Sequence, residues 1–270
     1  MLKAGLKLLV TYVLFVQLLV SPSAVADTLI IATASNFRPV LEQLSQEFSA
    51  QHQDTKNEIK ISSASSGVLY AQILRGAPFQ LFFSANESFP EKLVSSGHGV
   101  KNTLATYAIG QLVLASRRQG DSPKDILSKA ERIAIANPRT APYGIAAMAV
   151  MESLDIAQHK EKLVVGNNIA QAWQFFHSGN ADVAIVAASL IYSAEMRLAV
   201  GLKEEQKRLF TMDLSGYLKQ PIRQSRVAIK PVSKLTQQFL DFMNTPEATK
   251  IMVDGGYLTP ALVPVLAPIN

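Results

Sequence analysis

The residues with the most suggestive chemistry are small hydrogen-bond donors at two points where an apolar run gives way to a helical pattern. TLIIATASNF ends on Ser35 and Asn36, and EIKISSASSGVLYAQI carries Ser65, Ser66 and Gly67. A helix N-terminus exposes unpaired backbone N–H groups and a partial positive charge, so it can hold an anion. Hydroxyls beside two such termini predict a pocket for a small oxyanion. A lone serine at such a junction is more often a helix cap than a ligand. The elements on either side therefore have to decide.

Those elements alternate. The run 28–34 is short and almost wholly apolar, as expected of a strand covered on both faces. Phe37, Val40, Leu41, Leu44 and Phe48 follow at helical spacing, with Pro39 tolerated in the first turn. A strand over 58–64, a helix from Val68 to Gly76, a strand in QLFFSA and a short helix near 90–96 complete a βαβαβ pattern. The middle repeats it: a strand over 107–115, a helix over 123–130 capped by Ser122, and a strand at 132–137. A loop PRTAPYG, a helix over 145–156, a strand at 162–166, a helix over 169–178 and the strand ADVAIVAAS follow. After residue 220, QSRVAIK predicts a strand, and 235–243 and 246–253 predict helices. Two α/β lobes are expected, 27–106 with 220–270 and 107–219. Their strand ends would face a shared cleft, where such folds bind ligands. Four junctions would meet there: Ser35 with Asn36, Ser65 to Gly67, Ala141 to Gly144, and Asn167 to Ile169.

The N-terminus reads differently. Lys3 and Lys7 precede an apolar run over 8–20, and Ala24 and Ala26 form an A-x-A site before Asp27. This predicts a secretory signal peptide over 1–26 with cleavage after Ala26. The run is short for a membrane span, which needs about 20 residues. The formal charge of +5 falls to +3 once Lys3 and Lys7 are removed, too little to imply nucleic-acid binding, and no basic stripe is interleaved with aromatics. The chain has no cysteine, which excludes disulfides, thiolate metal sites and Cys nucleophiles. The histidines, His52, His98, His159 and His177, lack metal-ligand spacing, and no G-x-S-x-G elbow occurs. An exported hydrolase is the weaker alternative, and a binder of sulfate, phosphate or a small organic acid the nearer one.

The ordered motifs ATASN, ASSGVLYAQI with RGAP, SAN, ANPRTAPYG and GNNIAQAWQF resemble the periplasmic molybdate-binding proteins, receptors of molybdate ABC importers. The resemblance covers nearly all of the chain after residue 26. It implies the type II periplasmic-binding fold, two α/β lobes around a ligand cleft, with no cofactor and with molybdate or tungstate as ligand. It also implies a monomer in the periplasm whose partner is a membrane permease. The matched ligand positions are the hydroxyls of Ser35 and Ser66, Asn36 through backbone and side-chain N–H groups, and the backbone N–H groups of Tyr143 and Ile169. Two departures stand out. Many members have Asp after G-A-P and Asp or Asn after S-A; here these are Gln80 and Asn86, expected to flank the cleft. Ala187 stands where one branch donates from a tyrosine, with Ser189 or Tyr143 as candidate substitutes. Arg139 is a candidate for steering anions toward the second lobe.

The chemistry suits those residue types. A tetrahedral oxyanion without protons accepts hydrogen bonds and offers none, so its site needs donors only. Hydrogen bonds to a charged acceptor are stronger than neutral ones. Gly67 and Gly144 allow close backbone approach, and cavity size would separate molybdate from sulfate.

Overall fold

The computed structural model describes residues 27–52, 57–192 and 209–260; the expected signal peptide lies outside them. Ten strands form two five-stranded sheets. The first contains β1 (Thr28–Ala34), β2 (Glu58–Ala64), β3 (Leu81–Phe83), β4 (Ala105–Gly110) and β10 (Ile222–Ala228), in the order β2-β1-β3-β10-β4. The second contains β5 (Leu112–Ser116), β6 (Ile133–Ala136), β7 (Leu163–Gly166), β8 (Val183–Ala187) and β9 (Phe210–Asp213), in the order β7-β6-β8-β5-β9. Each sheet has a parallel trio, β1 with β2 and β3, or β6 with β7 and β8. An antiparallel strand, β10 or β5, then joins each trio to an edge strand.

The helices are α1 (Arg38–Gln51), α2 (Ser66–Leu74), α3 (Ser88–Ser95), α4 (Pro123–Lys129), α5 (Pro142–Ser153), α6 (Ile169–His177), α7 (Lys234–Phe242) and α8 (Pro246–Asp254). Period-2 alternation divides the first sheet between two cores. Ile31, Leu81 and Phe83 pack with α1, α7 and α8, through Phe37, Leu41, Phe48, Phe239 and Met252. Ala32 and Phe82 face the other way, onto Leu69, Ile73 and Leu93 of α2 and α3. The second sheet has one continuous core with α4, α5 and α6.

The chain crosses between sheets twice, and the first crossing differs from expectation. The apolar run 107–115 is two strands: β4 pairs with β10 in the first sheet, and β5 pairs with β8 and β9 in the second. Residues 107–110, expected with the second lobe, therefore belong to the first sheet. An apolar run reads alike whether one sheet covers it or two; Gly110 and Gln111 mark the break. The second crossing returns through β10. The helix expected at 145–156 starts earlier, with Pro142 in its first position, so Tyr143 and Gly144 lie in its first turn. Strand β9, Phe210–Asp213, is a further edge strand that the sequence pattern does not predict.

Candidate functional site

Each parallel trio ends its strands at the other lobe, and the turns leaving them converge. Ser35, Asn36, Ser65 and Ser66 from the first lobe meet Ala141, Pro142, Tyr143 and Ile169 from the second around one pocket, closed by Ala34 and Ala85. All five expected binding residues, Ser35, Asn36, Ser66, Tyr143 and Ile169, line it. Its cavity volume is about 10 Å³, on the order of one water-sized group and far below the range of drug-sized ligand pockets. It suits one small ion.

The donors can be counted. Ser35 N–H is taken by the Ala64 carbonyl at 3.0 Å, which leaves its hydroxyl to face the pocket. The next backbone N–H, that of Asn36, has no protein acceptor among the described residues. In α2 the first N–H, on Ser66, is likewise unpaired, whereas Gly67 donates across the cleft to the Thr140 carbonyl at 2.9 Å. In α5 and α6 the unpaired groups at the pocket are the N–H of Tyr143 and of Ile169. Each is an early position of a helix whose first turn has no intrahelical acceptor. Asn168 caps α6 through its side chain, accepting from Gln171 N–H, and so leaves Ile169 N–H free. Three helix N-termini and one turn thus aim donors from both lobes at one volume.

The serines divide their work. Ser66 Oγ accepts from Ala85 N–H at 3.0 Å, which fixes the oxygen and leaves its proton to donate. Ser65 Oγ is buried with no partner and does not cap its own helix. Ser65 is not among the five expected binding residues; no sequence signal distinguishes a serine before a helix that caps it from one that does not. The Asn36 side-chain amide donates to Gln224 Oε1 at 2.9 Å and to Tyr257 Oη at 2.8 Å, and its Oδ1 is buried without a partner, so in this orientation the backbone N–H is the Asn36 donor left for a ligand. The Asn36 carbonyl accepts from Ser189 Oγ and Tyr257 Oη.

The remaining expectations sort as follows. Ala187 is fully buried in β8, paired with Leu112. Of the candidate substitutes, Ser189 bonds Asn36 and Tyr257, and Tyr143 Oη accepts from Gln224 Nε2 at 3.0 Å. Gln80 does not flank the cleft. It sits at the far end of β3, exchanging backbone and side-chain bonds with Ile30. Asn86 does lie at the cleft, bonded to Ser84 and Ser88. Arg139 is outside the pocket lining.

No Asp, Glu, His, Lys or Arg lines the pocket. The one titratable wall residue is Tyr143, whose phenol burial pushes well above its ordinary value; nearby Tyr257 raises it further and the Gln224 hydrogen bond offsets part of this. Among the described residues, no group of three or more His, Cys, Asp or Glu could hold a metal ion. The arrangement can hold an anion through dipoles; besides the hydroxyl oxygens, the side-chain acceptor among the lining residues is the buried, unpartnered Asn36 Oδ1.

Two α/β lobes closing on a pocket of this kind define a solute-binding protein. The chain belongs to the family of bacterial extracellular solute-binding proteins, whose profile matches residues 29–258. It is 36% identical over 242 residues to the molybdate-binding protein ModA of Rhodobacter capsulatus, with 87% of this chain and 90% of that protein covered. It matches the solved structure of the Azotobacter vinelandii periplasmic molybdate-binding protein with a TM-score of 0.75 at 36% identity, covering 86% of this chain and 99% of that one. The sulfate-binding protein SubI of Mycobacterium tuberculosis shares the fold, with a TM-score of 0.69 at 16% identity, covering 87% of this chain and 88% of that one.

Proposed function

We propose that this protein captures molybdate, and tungstate through the same contacts, between its two lobes and delivers it to the membrane permease of an ABC importer. The observation that carries the reading is a donor-rich pocket without an ionised side chain. Unpaired N–H groups from Asn36, Ser66, Tyr143 and Ile169 and the hydroxyls of Ser35 and Ser66 converge from both lobes, with no ionisable acceptor among them. An anion held from both sides binds the closed form better and shifts the population toward it. The two relatives named above at 36% identity, both molybdate-binding by description, support the choice of ion.

The chain acts by binding rather than by catalysis, since no nucleophile with an adjacent base lines the pocket. It works as a monomer in the periplasm, exported by a signal peptide cleaved after Ala26. Among the described residues, lobe one comprises 27–52, 57–110 and 220–260, and lobe two 111–192 and 209–219, with the crossings at Gln111 and before β10.

Calorimetric titration with molybdate, tungstate, sulfate and phosphate tests the reading. One molybdate per chain with much weaker sulfate binding is expected. No heat with molybdate, or equal affinity for sulfate, overturns it. N-terminal sequencing of the exported protein should begin at Asp27.

A further inference from the structure

Gln224 joins the two halves of the pocket without lining it. It lies on the returning strand β10, fully buried, where the β4–β10 register shifts between Gln224 and Ser225. Its Oε1 accepts from Asn36 Nδ2 and from Tyr107 Oη, both at 2.9 Å, and its Nε2 donates to Tyr143 Oη at 3.0 Å. Asn36 and Tyr143 supply unpaired backbone N–H groups to the pocket from opposite lobes. One buried amide on a crossing strand therefore fixes a donor-bearing residue of each lobe.

Gly110 makes this contact possible. It ends β4, beside the other crossing, and pairs with Ile222 of β10. A Cβ at this position would overlap both Tyr143 Oη and Gln224 Nε2. The absence of a side chain is what lets the phenol of the second lobe reach the strand of the first.

We propose that Gly110, Gln224 and the Tyr143 hydroxyl form a latch that holds the lobes closed over the anion, with Gly110 and Gln224 as positioning residues. The latch rests on the reading of the pocket as an anion site. Opening the cleft pulls α5 away from β10 and breaks the Gln224–Tyr143 bond, while the bonds from Asn36 and Tyr107 stay within the first lobe. The latch is therefore specific to the closed state. It survives exchange of oxygen and nitrogen in both amides, because Tyr143 then donates where it now accepts. Burial pushes the phenols of Tyr107 and Tyr143 well above their ordinary values, so both stay protonated.

The test is stopped-flow dissociation of molybdate from the purified protein. Tyr143→Phe keeps the backbone N–H and removes only the latch hydroxyl; Gly110→Ala removes no polar group. Each should dissociate molybdate roughly 10-fold faster, the scale of one lost buried hydrogen bond, with association changed far less. Adding Gln224→Met to Tyr143→Phe should accelerate dissociation no further than Gln224→Met alone. A role confined to folding predicts a lower melting temperature with an unchanged dissociation rate, and that result in Tyr143→Phe and Gly110→Ala overturns the latch. Additive effects in the double variant overturn it as well. If the wild type binds no molybdate, the function reading fails separately. The latch is then judged by small-angle scattering of ligand-free protein: a larger radius in both variants supports it, and equal radii overturn it.

Discussion

Ser65 and Ser66 are neighbours with opposite situations. Ser66 Oγ is anchored by Ala85 N–H, so its proton has a fixed direction; Ser65 Oγ is buried and unpartnered. Ser66→Ala should weaken molybdate binding by roughly 1.5–3 kcal/mol, the range for a hydrogen bond to a charged group. Because it also orphans Ala85 N–H, the ligand-free protein should lose stability. Ser65→Ala should behave differently. Removing a buried hydroxyl that bonds nothing relieves a desolvation cost, so the ligand-free melting temperature should hold or rise. If that hydroxyl donates to the anion, affinity falls by roughly 10- to 150-fold, again the scale of one charge-assisted bond. Calorimetry and thermal melts on both variants separate the roles. A Ser65→Ala protein with wild-type affinity would leave that hydroxyl without a part in binding.

At the scale of elements, the site is an arrangement of helix starts. Pro142 and Asn168 set the first turns of α5 and α6, and the turn after β1 feeds α1. Much of this was legible in the sequence. Apolar runs ending in Ser, Asn or Ala-Pro-Tyr-Gly mark strand ends followed by helix starts, and the topology brings such ends together. What could not be read was long-range: Gln224 and Tyr257 carry no motif, and their meaning depends on Asn36 lying 188 and 221 residues away. The split of 107–115 was hidden for the same reason, since pairing partners, not composition, divide it. Gly67 is an element-scale test of closure. Its N–H donates to Thr140 across the cleft, and a Cβ there would stand 2.9 Å from the Thr140 carbonyl oxygen. Within α2 alone, alanine is favoured over glycine by about 1 kcal/mol. Gly67→Ala should therefore weaken molybdate binding about 10-fold or more, a cost above roughly 1.4 kcal/mol, while the ligand-free protein melts no lower. Unchanged affinity would mean the lobes do not close to the separation seen here.

For the whole molecule, the question is how a neutral pocket holds an anion without a counter-charge. A helix terminus contributes up to about 2 kcal/mol when partly buried, against roughly 1.5–3 kcal/mol for each hydrogen bond to a charged group. Several bonds from two lobes thus outweigh the dipoles, and they exist together only when the cleft is shut. Closure and binding are then one event, and the pH dependence follows from what titrates within it. The pocket walls hold no carboxylate, imidazole, ammonium or guanidinium. Tyr143 and, behind it, Tyr107 and Tyr257 are raised above the ordinary phenol value near 10, chiefly by burial. A phenol raised in the folded state keeps its proton through neutral and mildly alkaline pH, so the donor set does not change there. Molybdate affinity should be flat, within about twofold, from pH 6 to 9, provided the anion itself stays unprotonated. Titrations at fixed ionic strength across that range check it. A site built on a histidine or lysine would instead lose affinity as pH rises through its pKa, and such a slope would place a charged group in the cage that these residues do not provide.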